Sequence, residues 1–331
     1  IWFYKGSAFM IYYFGKVYIN DKFSCVFSGY KNPIVKDNCD VFKNDYYNGK
    51  RSVEEAESEY QYMCINGILK KNKLLSKNIS LMINSDLLNQ LFASNFASSR
   101  FDIPSLNIYS ACASFCEGLI IGSKFIDNTR DKAIISVSSH YLASEKQFRY
   151  PLEYGAIRKM SNSATASGAI SVLLSSKKSN IRVESASIGK VCVTNHKDAN
   201  DMGSAMAPSC AKVIYEHLKS SKRKSEYYDL ILTGDLGKYG VEVMKEYYYR
   251  SYGARLNNVI DAGSIYYTSK NIYAGASGPA CLPLVLFDYI LKNKKYKKIL
   301  IVATGSLHNT TSCNLSLSIP SVSHAVSLEV L

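Results

Sequence analysis

The chain repeats one order of predicted elements in its two halves, and this repeat limits the possible folds more than any other feature. In the first half, we predict helices at residues 54–71 and 113–124 and strands at residues 79–83, 105–109 and 133–137. In the second half, we predict a helix at residues 213–222, strands at residues 228–232 and 298–303, and a loop at residues 273–279 that leads into an apolar helix. Alternating strands and helices predict an α/β fold. Their recurrence after about half of the chain predicts a duplicated one.

Short motifs recur in the same order as the elements. Residues 84–87 (Asn-Ser-Asp-Leu) match residues 233–236 (Thr-Gly-Asp-Leu), and residues 134–137 match residues 299–302. Each of the two latter segments is followed by small polar residues and then by a histidine, His140 or His308. A turn with two lysines at residues 175–180 separates the copies. We therefore predict an N-terminal half at residues 1–180 and a C-terminal half at residues 181–331.

Composition excludes several other classes of protein. The chain has 331 residues, 47% of them apolar and 20% charged, which is enough for a large core and too apolar for disorder. Its nine cysteines are odd in number and show no paired spacing, so neither a disulfide framework nor a zinc site is predicted. The aromatic opening segment, residues 1–19, lacks the order of a signal peptide. The apolar stretch at residues 272–291 contains two prolines and an aspartate, so we expect a soluble, cytosolic protein.

The chain is basic, with 40 Lys and Arg against 27 Asp and Glu and a formal net charge of +13. This charge favours an anionic ligand, an anionic membrane face or nucleic acid, although compositional drift also explains it. Lysines cluster at residues 70–73, 219–224 and 292–298. All three clusters fall at predicted helix ends or turns, where cations are favoured in any case. No nucleotide-binding or zinc-protease motif is present, and we do not expect a nucleic-acid partner.

Cys112 is the first candidate for chemistry. It stands where a predicted strand turns into a helix, among alanines and a serine. The unpaired N–H groups of a helix start lower the pKa of a thiol and also bind carboxylates or oxyanions. The alternative is a small buried cysteine that packs the central helix. A triad of Cys112, His140 and an acid is a further hypothesis that spacing cannot test.

A second candidate region follows the predicted strand at residues 133–137. His140 lies at the carboxyl end of that strand, where α/β folds place ligands. Residues 144–151 then interleave Lys146 and Arg149 with aromatic residues. An arginine pairs bidentately with a carboxylate, and a neighbouring ring can stack on a flat ligand. The alternative is a solvated loop held by Glu–Arg pairs. Residues 201–208 are predicted as a loop of small residues that opens the next helix.

Together, several segments resemble one known family. The chain is similar to stage V sporulation protein AD at residues 86–90, 111–112, 138–140, 145–151, 200–208, 233–236 and 318–320. The resemblance runs in order from about residue 14 to the end. It implies a thiolase-like fold, in which two duplicated halves form five αβαβα layers. It also implies a soluble protein that binds dipicolinic acid (pyridine-2,6-dicarboxylate) within the forespore channel complex, peripheral to the spore inner membrane. The expected partners are the membrane proteins of that complex and a second copy of the chain, because thiolase folds usually dimerise.

The thiolase-like fold also contains ketoacyl synthases, which need a Cys nucleophile, a His and an Asn. The resemblance implies that Cys112 fills the nucleophile position. It also implies that residues 233–237 and 273–279 replace the loops of the His and the Asn, and neither segment contains that residue. We therefore expect no condensing activity, because an enolate would lack its oxyanion donors. An acyltransferase that uses Cys112 stays the alternative.

The expected ligand is a planar dianion, alone or as its calcium chelate, without a cofactor or a protein-bound metal. One carboxylate is expected at Cys112 and the other at Arg149 or Lys146. The full predicted binding set is Cys112, Arg149, Lys146, His140, Asn89, Asp235 and Ser277.

Overall fold

The computed structural model describes residues 10–28, 32–268, 272–293 and 295–331. The predictions on the opening segment and on the third lysine cluster therefore fall partly outside the described residues. No helix in the described ranges is long and apolar enough to cross a membrane.

The strands are β1 (Ile11–Tyr13), β2 (Tyr18–Phe27), β3 (Val41–Lys43), β4 (Leu81–Ser85), β5 (Ser105–Asn107), β6 (Lys132–Ser139), β7 (Ala164–Thr165), β8 (Gly168–Ser175), β9 (Ile181–Ile188), β10 (Cys192–Val193), β11 (Leu230–Thr233), β12 (Val259–Asp261), β13 (Ala276–Ser277), β14 (Lys298–Ser306) and β15 (Pro320–Val330). The α-helices are α1 (Val53–Lys71), α2 (Phe92–Ser98), α3 (Ser114–Ile126), α4 (Tyr141–Phe148), α5 (Met202–Ser221), α6 (Gly237–Tyr252), α7 (Ala262–Tyr266), α8 (Cys281–Val285) and α9 (Thr310–Asn314). A π-helical turn, Leu286–Ile290, continues α8.

The two halves of the chain form sheets with the same strand order. The first half is ordered β5-β4-β6-β8-β2, and the second half is ordered β12-β11-β14-β15-β9. The fourth strand of each sheet is antiparallel to both of its neighbours. This strand is β8 in the first sheet and β15 in the second. The sheets join where β2 pairs with β9. The duplicated α/β fold predicted from the sequence is confirmed, whereas the boundary at residue 180 stays a prediction.

Side chains alternate between the two faces of each sheet, and helices pack on these faces to give five layers. Ile83 and Ile135 face the central layer, where α3 and α8 lie between the two sheets. Their neighbours Met82 and Ile134 face α1 on the outer side of the first sheet. In the second sheet, the outward residues pack against α5 and α6. Because the side chains of a strand alternate between two faces, one sheet can serve two apolar layers.

The strand register corrects one of the motif matches. Leu81 pairs with Ala133 in the first sheet, and Leu230 pairs with Ile299 in the second. Ala133 therefore corresponds to Ile299, so the predicted match between residues 134–137 and 299–302 is wrong by one residue. A slip of one residue would turn every side chain to the other face of the sheet. With the corrected register, His140 corresponds to Ser306 rather than to His308.

One segment predicted as a loop, and one for which a loop was the alternative, are helical. Residues 202–208 form the first turns of α5, because the Asp201 side chain caps the helix by accepting from the Ser204 N–H. Small residues there allow close packing, since a Cβ on Gly203 would lie 2.3 Å from the Leu236 carbonyl oxygen. Most of the polar segment at residues 144–151 belongs to α4, which places Glu145 and Arg149 one turn apart.

Candidate functional site

A small cavity lies at the carboxyl ends of the strands, against the amino end of α3. We call it the inner cavity. It is lined by Leu87, Tyr109, Ala111, Cys112, Ser144, Phe148, Arg149, Thr165, Met202, Met206, Ser277, Ser306 and His308. Its volume is about 30 Å³, which holds one or two water molecules. The position is the one at which open α/β sheets bind ligands.

Close backbone approaches shape the floor of the inner cavity. Cys112 lies in a 3-10 turn, Ala111–Ala113, that leads into α3. The end of β14 lies directly against this turn, because a Cβ on Gly305 would be only 2.2 Å from the Ser110 carbonyl oxygen. Gly278 follows β13 with a φ of 116°, which favours glycine, and its backbone bonds the Cys112 thiol.

The environment of Cys112 opposes ionisation. Burial raises the pKa of the Cys112 thiol well above its ordinary value, and Asp235 raises it further. The hydrogen bond from Gly278 lowers the pKa by less than these two effects raise it. The sequence-based prediction of a lowered thiol pKa is therefore wrong, because removal of the thiol from water outweighs the dipole of the helix.

Arg149 is the most unusual group in the inner cavity. Its side chain is only 8% exposed, and its Nη1 donates to Glu145 Oε1 at 2.7 Å. Glu145 is fully buried and also faces Arg158, whose Nη1 lies 2.8 Å from Oε2. One carboxylate thus serves two guanidinium groups, and one positive charge is left over. Within the described residues, Arg149 Nε and Nη2 have no hydrogen-bond partner.

Three further polar atoms around the inner cavity are buried without a partner in the described part of the chain. They are Ser144 Oγ, Ser306 Oγ and His308 Nε2. Burial and the neighbouring Arg149 lower the pKa of His308 to about 4, so its ring is neutral at pH 7. Burying a polar atom without a hydrogen-bond partner costs free energy. A ligand or a water that supplies the missing hydrogen bond explains such an atom. The arrangement suits an anion that accepts several hydrogen bonds.

Asp235 lies behind Cys112 rather than in the lining of the inner cavity. It is buried, and burial together with Asp261 raises its pKa well above the ordinary range. Asp261 holds the loop at residues 233–237 by accepting from Thr233 Oγ1 and from two backbone N–H groups. Burial raises the pKa of Asp261 to about 6.

Like Asp235, three other predicted binding residues lie outside the lining of the inner cavity. His140 caps α4, where Nδ1 accepts from the Leu142 N–H, and its Nε2 lies 2.9 Å from the Tyr46 carbonyl oxygen. Lys146 is 60% exposed and pairs with Glu54. Asn89 is exposed, and its backbone N–H donates to Gln147. Lys146 lies within α4, whereas Arg149 follows the last helical residue and has a non-helical backbone (φ −137°, ψ −102°), so the i, i+3 spacing does not bring the two side chains together.

The structure brings Cys112, Arg149 and Ser277 together and adds residues that were not predicted. Ser277 Oγ lies 2.9 Å from Ser163 Oγ. The additional polar residues are Ser144, Ser306 and His308. His308 follows β14 directly, and this position was the only sequence signal for it. Among the described residues, no group of three or more His, Cys, Asp or Glu side chains could hold a metal ion.

Comparison with known proteins identifies the family. The family model for stage V sporulation protein AD matches residues 14–329. The chain is 35% identical over 285 residues to stage V sporulation protein AD of Bacillus subtilis strain 168, covering 85% of this chain and 84% of that protein. The chain belongs to the stage V sporulation protein AD family.

Solved structures show the fold. A variant of OleA from Xanthomonas campestris superposes with a TM-score of 0.61 at 12% identity, covering 96% of this chain and 99% of that one. OleA with cerulenin bound gives a TM-score of 0.62 at 12% identity, with 96% and 98% covered. The thiolase-like fold expected for the family is therefore confirmed.

We predict that iodoacetamide modifies Cys112 more slowly than Cys192 at pH 7.5. Only a thiolate reacts quickly, and the Cys112 thiol stays protonated, whereas Cys192 is half-exposed. Mass spectrometry of the digested protein after timed labelling gives the order. Cys281, which is buried and whose pKa is also raised, serves as the slow reference. Modification of Cys112 before Cys192 would show an activated nucleophile.

Proposed function

We propose that this protein binds dipicolinate in the inner cavity and serves as the soluble dipicolinate-binding component of the forespore channel complex. The observation that carries the proposal is the buried Arg149 guanidinium, two of whose nitrogens have no partner within the described residues. Nε and one Nη of a guanidinium form a fork that matches the two oxygens of a carboxylate. We name dipicolinate as the ligand because the resemblance to the sporulation family implies it, and membership of that family supports this choice.

The surrounding groups suit a planar dianion. The Ser144 and Ser306 hydroxyls can donate hydrogen bonds to the carboxylate oxygens, and His308 Nε2 can donate once the ring takes up a proton on binding. The Phe148 ring lies 5.1 Å from the His308 ring, centroid to centroid, and offers an aromatic wall. A ring with two carboxylates exceeds the inner cavity as it stands. We therefore expect binding to move the side chains at its mouth, where Arg149 also borders a neighbouring cavity.

The remaining parts of the proposed function rest on the family and on charge. A formal net charge of +13 favours association with the anionic face of the spore inner membrane. Each well-placed Lys or Arg contributes about 1 kcal/mol to such binding. The membrane proteins of the channel complex and a second copy of the chain are the proposed partners. Titration with and without calcium distinguishes free dipicolinate from its chelate.

A second candidate function is acyl transfer by Cys112. It is favoured by the place of Cys112 at the start of α3, with the backbone of Gly278 bonded to the thiol. The raised pKa of that thiol, which burial and the neighbouring Asp235 cause, opposes this function. The resemblance also implies that Asp235 stands in the loop that holds the imidazole of condensing enzymes. The binding function is therefore the better supported of the two.

Arg149→Ala should weaken dipicolinate binding about tenfold or more, because a charge-assisted pair contributes roughly 1.5–3 kcal/mol. Arg149→Lys should recover part of the loss, since an ammonium lacks the fork. Isothermal titration calorimetry gives the affinities, and Lys222→Ala at the end of α5 is the surface control. Glu145 keeps Arg158 as a partner in both variants, so the fold should survive. A lower melting temperature with unchanged affinity would instead assign Arg149 a purely structural role.

Dipicolinate affinity should increase as the pH falls from about 7.5 to about 5.5. The pKa of His308 in the free protein is about 4, and an anion beside Nε2 raises it, so binding takes up a proton in this range. Carboxyls of the ligand stay ionised there. His308→Gln, which keeps a donor without a titration, should remove the dependence. If dipicolinate affinity changes equally with pH in the wild-type protein and in His308→Gln, a group other than His308 takes up the proton.

Acyl-CoA turnover should be undetectable, because burial and Asp235 raise the pKa of the Cys112 thiol well above its ordinary value and so keep it protonated. Release of free CoA, followed with a thiol reagent after rapid mixing, provides the measurement. Cys112→Ser is the matched control. A burst of CoA equal to the amount of protein and absent from Cys112→Ser would establish the acyltransferase function instead.

A further inference from the structure

A second cavity lies on the outer side of Arg149. We call it the outer cavity. Its volume is about 140 Å³, several times that of the inner cavity, and its lining includes Arg149, Tyr150, Arg158, Lys159 and Asn162. Arg149 lines both cavities and so forms part of the wall between them.

The outer cavity carries a positive charge that the protein does not neutralise. Arg149 and Arg158 share the single carboxylate of Glu145, at 2.7 and 2.8 Å. Lys159 pairs with Asp198 at 2.9 Å, and that pair is half-exposed. Three cations thus face two carboxylates, which leaves one net positive charge. A guanidinium removed from water is costly unless an anion compensates it.

Several polar atoms in the wall of the outer cavity also lack hydrogen-bond partners among the described residues. Within the described residues, Arg149 Nε and Nη2 and the amide oxygen of Asn162 are buried without hydrogen bonds. Arg149 is 92% buried, since 8% of its side chain is exposed. At the rim, the Tyr150 ring is 58% exposed and stacks on Tyr154 with 5.3 Å between ring centroids. Tyr150 therefore offers one free aromatic face beside the cations.

We propose that the outer cavity is a separate entry site for planar carboxylate anions, arranged in series with the inner cavity. Arg158 and Lys159 receive the anion first, and its ring stacks on Tyr150. A carboxylate oxygen of the anion then replaces Glu145 as the partner of Arg149, while Glu145 stays paired with Arg158. Rotation of the Arg149 side chain carries the anion between the two cavities. The identity of the physiological anion rests on the proposed function. The existence of the entry site does not depend on that function.

An entry site of this kind has a kinetic signature. Cations at a cavity mouth accelerate the association of an anion and have less effect on its dissociation from a deeper site. Neutralising Arg158 should therefore lower the association rate constant, and the loss should fade as salt screens the charge. A residue that only supported the inner cavity would change the dissociation rate constant instead.

The test is stopped-flow mixing of dipicolinate with the wild-type chain and with Arg158→Gln at low and at physiological salt. We expect the association rate constant to fall at least threefold at low salt and the dissociation rate constant to change less than twofold. Arg158→Lys should restore most of the rate, which shows that the fold is intact. Arg250→Gln is the matched control. It removes an exposed arginine that pairs with Glu246, one helical turn away. An unchanged association rate constant in Arg158→Gln, or a loss confined to dissociation, overturns the proposal.

A second measurement does not depend on dipicolinate binding. Crystals are soaked with an iodinated isophthalate, a planar ring whose two carboxylates have the same meta arrangement, and the iodine is located by anomalous diffraction. We expect iodine in the outer cavity of the wild-type protein and none there in Arg158→Gln. If the wild-type chain fails to bind dipicolinate, the proposed function falls, and the iodine position alone decides the entry site. Iodine absent from the outer cavity of the wild-type protein overturns it.

Discussion

The close approach of α3 to the first sheet is the constraint on which the rest of the structure depends. A Cβ on Gly118 would lie 2.9 Å from Ile135 Cγ2, and one on Gly122 would lie 3.0 Å from Ile135 Cδ1. These two glycines let the helix lie between the sheets at a distance that a larger side chain would prevent. The amino end of α3 then meets the end of β14 at Gly305. The floor of the inner cavity follows from this contact.

Charge gives that cavity its chemistry. The thiolase-like fold is usually associated with a reactive cysteine, yet burial keeps the Cys112 thiol protonated here. The buried guanidinium of Arg149 and the carboxylate of Glu145 place charged groups beside the cavity instead. A buried cation that is only partly compensated stabilises an incoming anion more than it stabilises the free protein. Under the proposed function, the same scaffold holds a dicarboxylate instead of transferring an acyl group.

The sequence was sufficient for the fold and for part of the site. Hydrophobic patterns and repeated motifs predicted the duplication, and the family motifs predicted the thiolase-like class. Arg149 and Cys112 were predicted because their positions beside a strand end and a helix start have direct physical meaning. His308, Ser144 and Ser306 were missed because they come from different elements that only the folded chain brings together. The match between residues 134–137 and 299–302 was out by one residue, because a shift of one residue along β14 is invisible without the strand register.

The most direct test of the account is a crystal structure of the protein with dipicolinate. Binding through the uncompensated charge predicts that a carboxylate oxygen lies about 3 Å from Arg149 Nε or Nη2. It also predicts that the side chains between the inner and outer cavities move to admit the ring. Dipicolinate bound without contact to Arg149, or no dipicolinate in either cavity at saturating concentration, would contradict the account.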